Sequence, residues 1–184
     1  MIIKNNDPYT EASFSIGNRL ARLIWGIVWC IFFRWSPVPF HGWRAFLLKC
    51  FGAKIGQDVH FYPGCKVWAP WNLVVGDRVG VAGGVVIYNM DKISIGSNVV
   101  ISQGAHLCAG SHDYESKNFQ LIVGEIKVMD HVWICAEAFI GPNVVVPIGV
   151  VIGARSVVMR SVADCWTVWS GNPAQFIKNR KLRQ

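Results

Sequence analysis

Charged residues are scarce in this sequence, and the acidic ones are scarcest, which restricts the kinds of partner that the protein can have. Charged side chains make up 16% of the 184 residues, and 18 basic against 11 acidic residues leave a net charge of +7. No helix-turn-helix, zinc-finger or RNA-binding signature accompanies this charge, so a nucleic-acid partner is not expected. The positive balance suits a partner that carries phosphate groups.

Paired cysteines and long hydrophobic runs are missing as well. The six cysteines stand alone without a CxxC pair, and several occupy places for small apolar residues. We therefore expect reduced core thiols in a cytosolic protein. The apolar run from Leu23 to Phe33 falls short of the about 20 residues that cross a bilayer. The N-terminus also lacks the pattern of a signal peptide.

The second half of the chain has a six-residue period instead. Within each block a large apolar residue returns at every sixth position, and a small or branched residue follows most of these four positions later. This spacing fits neither a helix nor a flat alternating strand, and it is typical of a β-solenoid. The large apolar set comprises Ile55, Phe61, Val67, Val75, Val81, Ile87, Ile95, Ile101, Leu107, Val128, Ile134, Ile140, Val146, Ile152 and Val158.

Each hexad is expected to form one short strand and one corner, so that three hexads make one triangular coil. The set of block starts predicts roughly five coils, stacked at about 4.8 Å. No coil can bury its apolar face alone, so stability should be a sum over neighbouring coils. The predicted solenoid covers residues 53–170 and is interrupted by an excursion loop at residues 113–127.

Residues 1–52 follow different rules and are predicted to form a helical cap. One helix is expected over Asn18 to Phe33 and a second over Gly42 to Phe51. Two interpretations stay open. The helices cover the exposed edge of the first coil, or residues 23–35, aromatic and flanked by arginines, form an amphipathic membrane contact. Both can hold together.

The interruption of the repeat is the predicted place for chemistry, because long excursions from a compact repeat are usually functional or disordered. His112 stands where the last regular hexad ends and the loop departs. A histidine there is suited to act as a general base near neutral pH, provided that a carboxylate or carbonyl binds its other ring nitrogen. Asp113 and Glu125 are the candidate partners. A corner histidine without a role is the alternative, and His41, His60, His106 and His131 are expected to be structural.

Several segments beside the hexads resemble hexapeptide-repeat acyltransferases. Within that family the chain is similar to the maltose, galactoside and nodulation acetyltransferase branch, and in particular to the colanic-acid-biosynthesis type. The segments that carry the resemblance are Ala109–Asp113, Asp130–Ile134 and Gly171–Ala174 for the family, and Trp43–Leu48, Phe51–Gly56 and Gly110–Asp113 for the type.

The resemblance implies an all-β fold, a left-handed parallel β-helix with N-terminal helices, and a homotrimer whose sites lie between subunits. It implies acetyl-CoA as co-substrate and no metal. Asn89 lies near a family asparagine that contacts the acceptor, although a polar corner residue is an equal interpretation. Residues matching the acetyl-CoA groove are Trp133, Ala136 and Ala154. The candidate phosphate contacts, each of which is equally well interpreted as an ordinary solvated side chain, are Arg155, Arg160, Lys178, Arg180 and Lys181.

Residues 171–184 are predicted to form a turn followed by a helix, with Asn172 as the cap and Pro173 as the first helical residue. The expected activity is the transfer of acetyl from acetyl-CoA to a saccharide hydroxyl in exopolysaccharide or surface-polysaccharide biosynthesis, with His112 as the base. The expected location is the cytoplasm, with the inner face of the membrane as the open alternative.

Three other classes of protein are weighed against this expectation. An N-acetyltransferase acting on an amino sugar nucleotide is the nearest rival, and a non-catalytic solenoid binding module is another. A zinc enzyme of the γ-carbonic-anhydrase type is disfavoured because His106 and His112 are six residues apart, which places them on different faces of the prism.

Overall fold

A computed structural model describes residues 9–181, so residues 1–8 and 182–184 of the predicted terminal units lie outside the described residues. Strands of two to five residues alternate with corners, and they follow two helices, α1 (Ile16–Val28) and α2 (His41–Cys50). The strands are β1 (Lys54–Ile55), β2 (His60–Phe61), β3 (Lys66–Val67), β4 (Leu73–Val75), β5 (Gly80–Val81), β6 (Val86–Tyr88), β7 (Ile93–Ile95), β8 (Val100–Ile101), β9 (His106–Cys108), β10 (Gly110–His112), β11 (Leu121–Val123), β12 (Ile126–Val128), β13 (Trp133–Ile134), β14 (Phe139–Ile140), β15 (Val145–Val146), β16 (Val151–Ile152), β17 (Val157–Val158), β18 (Thr167–Ser170) and β19 (Gln175–Asn179).

These strands build a parallel β-solenoid with three faces. Face 1 has the order β1-β4-β7-β12-β15, face 2 the order β2-β5-β8-β13-β16-β18-β19, and face 3 the order β3-β6-β9-β14-β17. From coil to coil the pairing is parallel and in register, so Ile55 lies beside Val75 and Val75 beside Ile95. The β-solenoid predicted from the six-residue period is confirmed.

The core consists of the residues that the period singles out. All fifteen large apolar residues of the frame are buried except Ile55, which is half-buried at the first coil. The small residues four positions later are also buried, with Ser111 as the exception. Each coil therefore contributes the same inward positions, and a column of apolar side chains runs through the prism.

Glycines between faces 1 and 2 are required by close approach of successive coils rather than by an unusual backbone angle. Gly56, Gly76 and Gly96 stack in one column, each directly after an inward-pointing residue. A Cβ atom on Gly76 would lie 2.9 Å from the Gly96 carbonyl carbon and 2.9 Å from the Ser97 nitrogen. Because both atoms belong to the backbone of the next coil, that coil would have to shift.

We expect Gly76→Ala to destabilise the solenoid by about 1–3 kcal/mol, the usual effect of forcing extra volume into a packed interior. Gly80→Ala is the matched control, since nothing lies within 4 Å of a Cβ placed on Gly80 in the same coil. Urea unfolding of the two variants measures the difference. Equal free energies of unfolding for both would contradict the close-approach argument.

The N-terminal helices bind the first coil through side-chain donors. The N–H groups of each coil donate to carbonyls of the next coil, as Tyr62 N does to Val81 O. The equivalent carbonyls of the first coil have no preceding coil to donate to them. The indole Nε1 atoms of Trp25 and Trp29 donate to Val67 O at 2.7 Å and to Cys65 O at 2.8 Å. Arg44 Nε donates to Phe61 O at 2.5 Å. These contacts satisfy carbonyls that would otherwise form an open sheet edge.

The first helix is longer than the apolar run in the sequence. Helix α1 is capped by the Ser15 side chain, which accepts from Asn18 N at 3.2 Å, and it continues through a π-helical turn at Trp29–Phe33. The continuous segment Ile16–Phe33 has 18 residues, a mean hydropathy of 1.4 and only 11% of its residues buried. By length and composition it is therefore apolar enough to cross a membrane, which the run from Leu23 alone did not indicate.

The excursion from the solenoid is a β-hairpin with different bounds from the predicted loop at residues 113–127. Strands β10 and β11 pair antiparallel, with His112 opposite Leu121. Ile126 and Lys127 already belong to β12 and pair with Ile93 and Ser94 of face 1. The inward position at Ile126 resumes the sheet two residues before the frame residue Val128, so counting hexads alone placed the return too late.

The predicted C-terminal helix is wrong. Residues Gln175–Asn179 form β19, which pairs antiparallel with β18 through Thr167 and Asn179. The turn at Gly171, with φ of +107°, and Pro173 therefore connects two strands. Without β19, strand β18 would be an unpaired edge of the sheet on the last coil. The hydrogen bonds that β19 forms along this edge outweigh the helix-starting pattern of Asn172 and Pro173.

The cysteines are only partly core residues, as against the expectation from the sequence. All six are free, and Cys65 is buried, Cys108 and Cys135 are half-buried, and the other three are exposed. Burial without a charged partner raises the pKa of the Cys65 thiol to about 12. That thiol therefore stays protonated and unreactive as part of the apolar column. The exposed ones are Cys30, Cys50 and Cys165.

Candidate active site

His112 lies at the end of β10, where the hairpin leaves the solenoid between faces 3 and 1. Its ring stacks on the Phe119 ring with centroids 4.5 Å apart and planes inclined by 8°. Its Nδ1 atom lies 2.9 Å from Phe119 O. Because a carbonyl oxygen can only accept, Nδ1 carries the proton and Nε2 has the free lone pair. The hairpin thus holds a half-buried imidazole in the tautomer that a general base needs.

Neither carboxylate predicted to orient His112 does so. The Asp113 carboxylate accepts from Glu115 N at 3.3 Å, within the loop itself. The Glu125 carboxylate lies 3.2 Å from Lys127 Nζ and 3.7 Å from Lys92 Nζ. Glu125 is therefore bound on face 1, where opposite charges are available. The requirement for a carboxylate or a carbonyl is met by the backbone of Phe119.

Asn89 is not placed to contact an acceptor. The side chain is fully buried, its Oδ1 accepts from Ala69 N at 2.9 Å, and its Nδ2 donates to Ala69 O at 2.6 Å. The oxygen and the nitrogen of this side-chain amide thus both bind the backbone of the preceding coil at the corner. The prediction of acceptor binding is corrected in favour of the alternative, a polar corner residue.

A second group of predicted residues lies on face 2 and on the edge between faces 2 and 3. Trp133 is 46% exposed on β13, and its indole Nε1 donates to Ser102 Oγ at 3.0 Å. Ala136 and Ala154 occupy successive corners of that edge, and Arg155 N donates to Ala136 O at 2.9 Å. Small side chains at successive corners leave the backbone there open to an extended ligand.

The candidate phosphate contacts differ in how free they are. Arg160, Lys178 and Lys181 are exposed. Arg155 Nε lies 2.6 Å from Glu137 Oε2, and this hydrogen bond raises the pKa of the guanidinium. Arg180 Nη1 donates to His131 O at 2.9 Å and to Gly149 O at 2.8 Å, which fastens the C-terminal hairpin to the solenoid. Arg180 therefore has a structural task whatever else it contacts.

Two of these positions share a line across face 2. Trp133 pairs with Val151, Val151 with Val168, and Val168 with Lys178. Three inter-strand steps separate Trp133 from Lys178, about 14 Å at 4.8 Å per step. An extended chain that touches the indole can therefore reach an exposed ammonium group at the end of the same face.

Arg160 lies apart from this line, beside a groove at the top of face 3. The groove has a volume of about 560 Å³ and lies between the last corner of the solenoid and the C-terminal turn. Its lining includes Met159, Arg160, Trp169 and Pro173. Arg160 follows β17 and His112 ends β10, so both lie on the edge between faces 3 and 1, two coils apart.

The remaining histidines contact neighbouring coils or caps. His41 stacks on His60 at 4.6 Å, and His131 stacks on Trp166 at 5.9 Å. His106 lies between the rings of Tyr88 and Phe139 on face 3, where burial lowers the pKa of its imidazole. Among residues 9–181, no three side chains of His, Cys, Asp or Glu lie together as metal ligands would.

The comparison of sequences decides the family. No protein-family model matches the chain. The chain is 40% identical over 167 residues to the colanic acid biosynthesis acetyltransferase WcaF of Escherichia coli (strain K12). The aligned residues cover 91% of each chain. The chain belongs to this acetyltransferase family. The resemblance drawn from the hexads and from Trp43–Leu48, Phe51–Gly56 and Gly110–Asp113 is confirmed, and family membership makes the chain an acyltransferase.

Solved structures agree with the fold of this acetyltransferase family. The hexapeptide-repeat acetyltransferase VCA0836 of Vibrio cholerae O1 biovar eltor, solved with acetyl-CoA, matches with a TM-score of 0.82 and 24% identity over 91% of each chain. A galactoside acetyltransferase solved with coenzyme A matches with a TM-score of 0.83 and 23% identity, over 91% of this chain and 84% of the other. These likenesses show the shared solenoid.

The sequence analysis expected a carboxylate or a carbonyl beside His112, but it did not identify the residue that supplies it. The group that orients His112 is the carbonyl of Phe119, seven residues along the chain, where the backbone has a φ of +44°. A backbone carbonyl has no signature in a sequence, and a positive φ at phenylalanine is unusual. The only signal was an aromatic residue within the excursion, which now proves to stack on the imidazole.

Proposed function

We propose that the protein transfers acetyl from acetyl-CoA to a saccharide hydroxyl group in the biosynthesis of an exopolysaccharide or another surface polysaccharide. The observation that carries the proposal is the His112 imidazole, whose Nδ1–H is bound to Phe119 O so that Nε2 can accept a proton. Membership of an acetyltransferase family related to colanic acid biosynthesis supports the donor and the class of acceptor.

The reaction needs one proton to move twice. The saccharide hydroxyl is a weak nucleophile, so Nε2 of His112 takes its proton as the oxygen bonds to the acetyl carbonyl carbon. The carbon–sulfur bond then breaks, and the proton passes from Nε2 to the departing sulfur. Acetyl-CoA supplies the activated acetyl group. The Phe119 carbonyl holds the tautomer and stabilises the imidazolium between the two transfers.

The residues present fit an extended donor with phosphate groups. Exposed Trp133 and the small corners Ala136 and Ala154 offer an open edge, and Arg155, Arg160, Lys178 and Lys181 offer exposed cations near the last coils. Arg180 can add to these only with the nitrogen atoms that its backbone contacts leave free. We therefore assign the pantetheine arm to the Trp133–Ala154 region and the phosphates to the basic residues.

We propose a homotrimer in which two neighbouring copies complete each site. His112 lies on the edge between faces 3 and 1, whereas Ala136 and Ala154 lie on the edge between faces 2 and 3. One side of a coil spans up to roughly 20 Å for six extended residues. A base must come within about 3 Å of the proton that it removes. Prisms packed around a threefold axis would bring the two edges of neighbouring copies together. The reaction is proposed to take place in the cytoplasm, with residues 23–35 at the membrane.

The test is an acetyl-CoA consumption screen over saccharide acceptors, with and without lipid, read by release of the coenzyme thiol. We expect turnover with a hydroxyl acceptor and a product that hydroxylamine cleaves, because an ester is cleaved and an amide is not. Turnover confined to amino sugar nucleotides would replace this proposal with N-acetyl transfer. Absence of acetyl-CoA binding in calorimetry would leave a binding module.

A further inference from the structure

The N-terminal helices present a continuous apolar surface to solvent. On α1 and its π-helical turn the exposed apolar residues are three or four positions apart, which places them on one side of the helix. The loop and α2 extend the same surface. We call these residues the helical face: Ile16, Leu20, Leu23, Ile24, Ile27, Ile31, Phe32, Trp35, Val38, Phe40, Trp43 and Phe46, each between 40% and 81% exposed.

The opposite side of α1 is already occupied by the solenoid. Trp25 is buried, and the indole donors of Trp25 and Trp29 bind Val67 O in β3 and Cys65 O directly before it. Among residues 9–181, the helical face is thus the side of these helices that no other segment covers. Scattered exposed apolar residues are normal in proteins, but a contiguous surface of this kind marks a place of interaction.

The charge around the helical face identifies what it meets. Residues 11–58 contain six basic and two acidic residues, so about a quarter of the chain carries four of the seven net positive charges. The two acids, Glu11 and Asp58, lie at the two ends of the helical face. Arg19, Arg34 and Lys49 are exposed beside the apolar residues. Aromatic residues beside an excess of cations suit the boundary between acyl chains and anionic headgroups. A second copy meeting the same face would bring like charges together.

The fold makes the helices lie in the plane of a bilayer rather than across it. A spanning α1 would have to break both indole bonds to β3, and it would carry Arg19 and Arg22 into the hydrocarbon. Trp43 Nε1 donates to Phe32 O at 3.1 Å, which joins α2 to the end of α1. A groove of about 500 Å³ lies between Trp35 and Trp43 on the same surface. The two helices therefore form one rigid platform.

The geometry points to a membrane-docking site: the helical face inserts into the headgroup boundary of a bilayer that contains anionic lipid, with α1 and α2 in its plane. This inference goes beyond the membrane contact of residues 23–35, because it includes α2 and names the lipid charge. It does not depend on the identity of the acceptor.

Cosedimentation of the full-length protein with vesicles tests the site. We expect binding to phosphatidylcholine vesicles containing phosphatidylglycerol, weaker binding to pure phosphatidylcholine, and a decrease as salt screens the charges. Ile27→Glu should weaken binding about tenfold or more, corresponding to about 1.4 kcal/mol. Tyr114→Glu is the matched control, since that side chain is 80% exposed on the hairpin and is not one of the residues of the helical face.

Stability, activity and molar mass of the variants distinguish membrane docking from other roles of the helical face. Ile27 is 52% exposed, so Ile27→Glu should keep the melting temperature and the activity on a soluble acceptor, which separates this test from that of the proposed function. The site is overturned if the wild-type protein binds neither kind of vesicle, or if Ile27→Glu and Tyr114→Glu bind alike. A lower molar mass of Ile27→Glu than of wild type would instead assign the face to contacts between copies.

Discussion

His112→Ala is expected to lower kcat by about 10²–10⁴-fold, the range that a positioned general base contributes. The alanine leaves a saccharide hydroxyl with no group to take its proton, while the solenoid that holds the donor stays intact. Acetyl-CoA affinity and the mass of the assembly should therefore be unchanged. Steady-state kinetics with the acceptor identified in the screen measures kcat, and calorimetry measures the affinity.

A second substitution separates the base from its support. His112→Asn keeps an N–H donor near the position of Nδ1, so the bond to Phe119 O can persist, but it removes the basic Nε2. We expect the same loss of kcat from His112→Asn as from His112→Ala. His60→Ala, in the first coil, is the matched control and should keep its activity. Turnover near that of wild type in either His112 variant would refute the assigned role.

The solenoid could be predicted from the sequence because its signal is repeated. Each coil buries the same positions, so Val81 and Ile101 occupy equivalent environments in successive coils. A misassigned residue in one coil is therefore outweighed by its equivalents in the others. The handedness of the solenoid could not be predicted in this way, because left-handed and right-handed coils have the same six-residue period. It remains an expectation from the resemblance.

The ends and the site depend on single contacts, and single contacts leave weak traces in a sequence. Asn172 and Pro173 have the pattern of a helix start, but the open edge of β18 captures the following residues as a strand. Asn89 matches an acceptor contact by position, and only the folded structure shows that its side-chain oxygen and nitrogen both bind the Ala69 backbone. Strand pairing overrode the local sequence pattern at Asn172 and Pro173, and packing against the preceding coil did so at Asn89.

Arg44 is another residue whose role depends on single contacts, and its replacement has the largest expected effect on the stability of the protein. Although charged, it is fully buried, and burial lowers the pKa of its guanidinium. Its Nη1 donates to Ser36 Oγ at 2.7 Å and to Pro37 O at 2.8 Å, its Nη2 donates to Val38 O, and its Nε binds Phe61 O. One side chain thus supplies donors to the loop between α1 and α2 and to an edge carbonyl of the first coil.

We expect Arg44→Met to lower the free energy of unfolding by about 3 kcal/mol, because methionine fills the space but removes the donors to Phe61 O and to two loop carbonyls, and each buried acceptor left unsatisfied costs about 1–3 kcal/mol. Arg44→Lys should recover only part of the loss, since one ammonium group cannot replace a planar fork. Arg34→Met is the control: Arg34 is exposed over Trp29 and Trp35, so its loss should change stability by about 0.5 kcal/mol. Guanidinium unfolding measures all three. If Arg44→Met and Arg34→Met had equal effects, the capping contacts would be incidental, and the first coil would be stable without its helices.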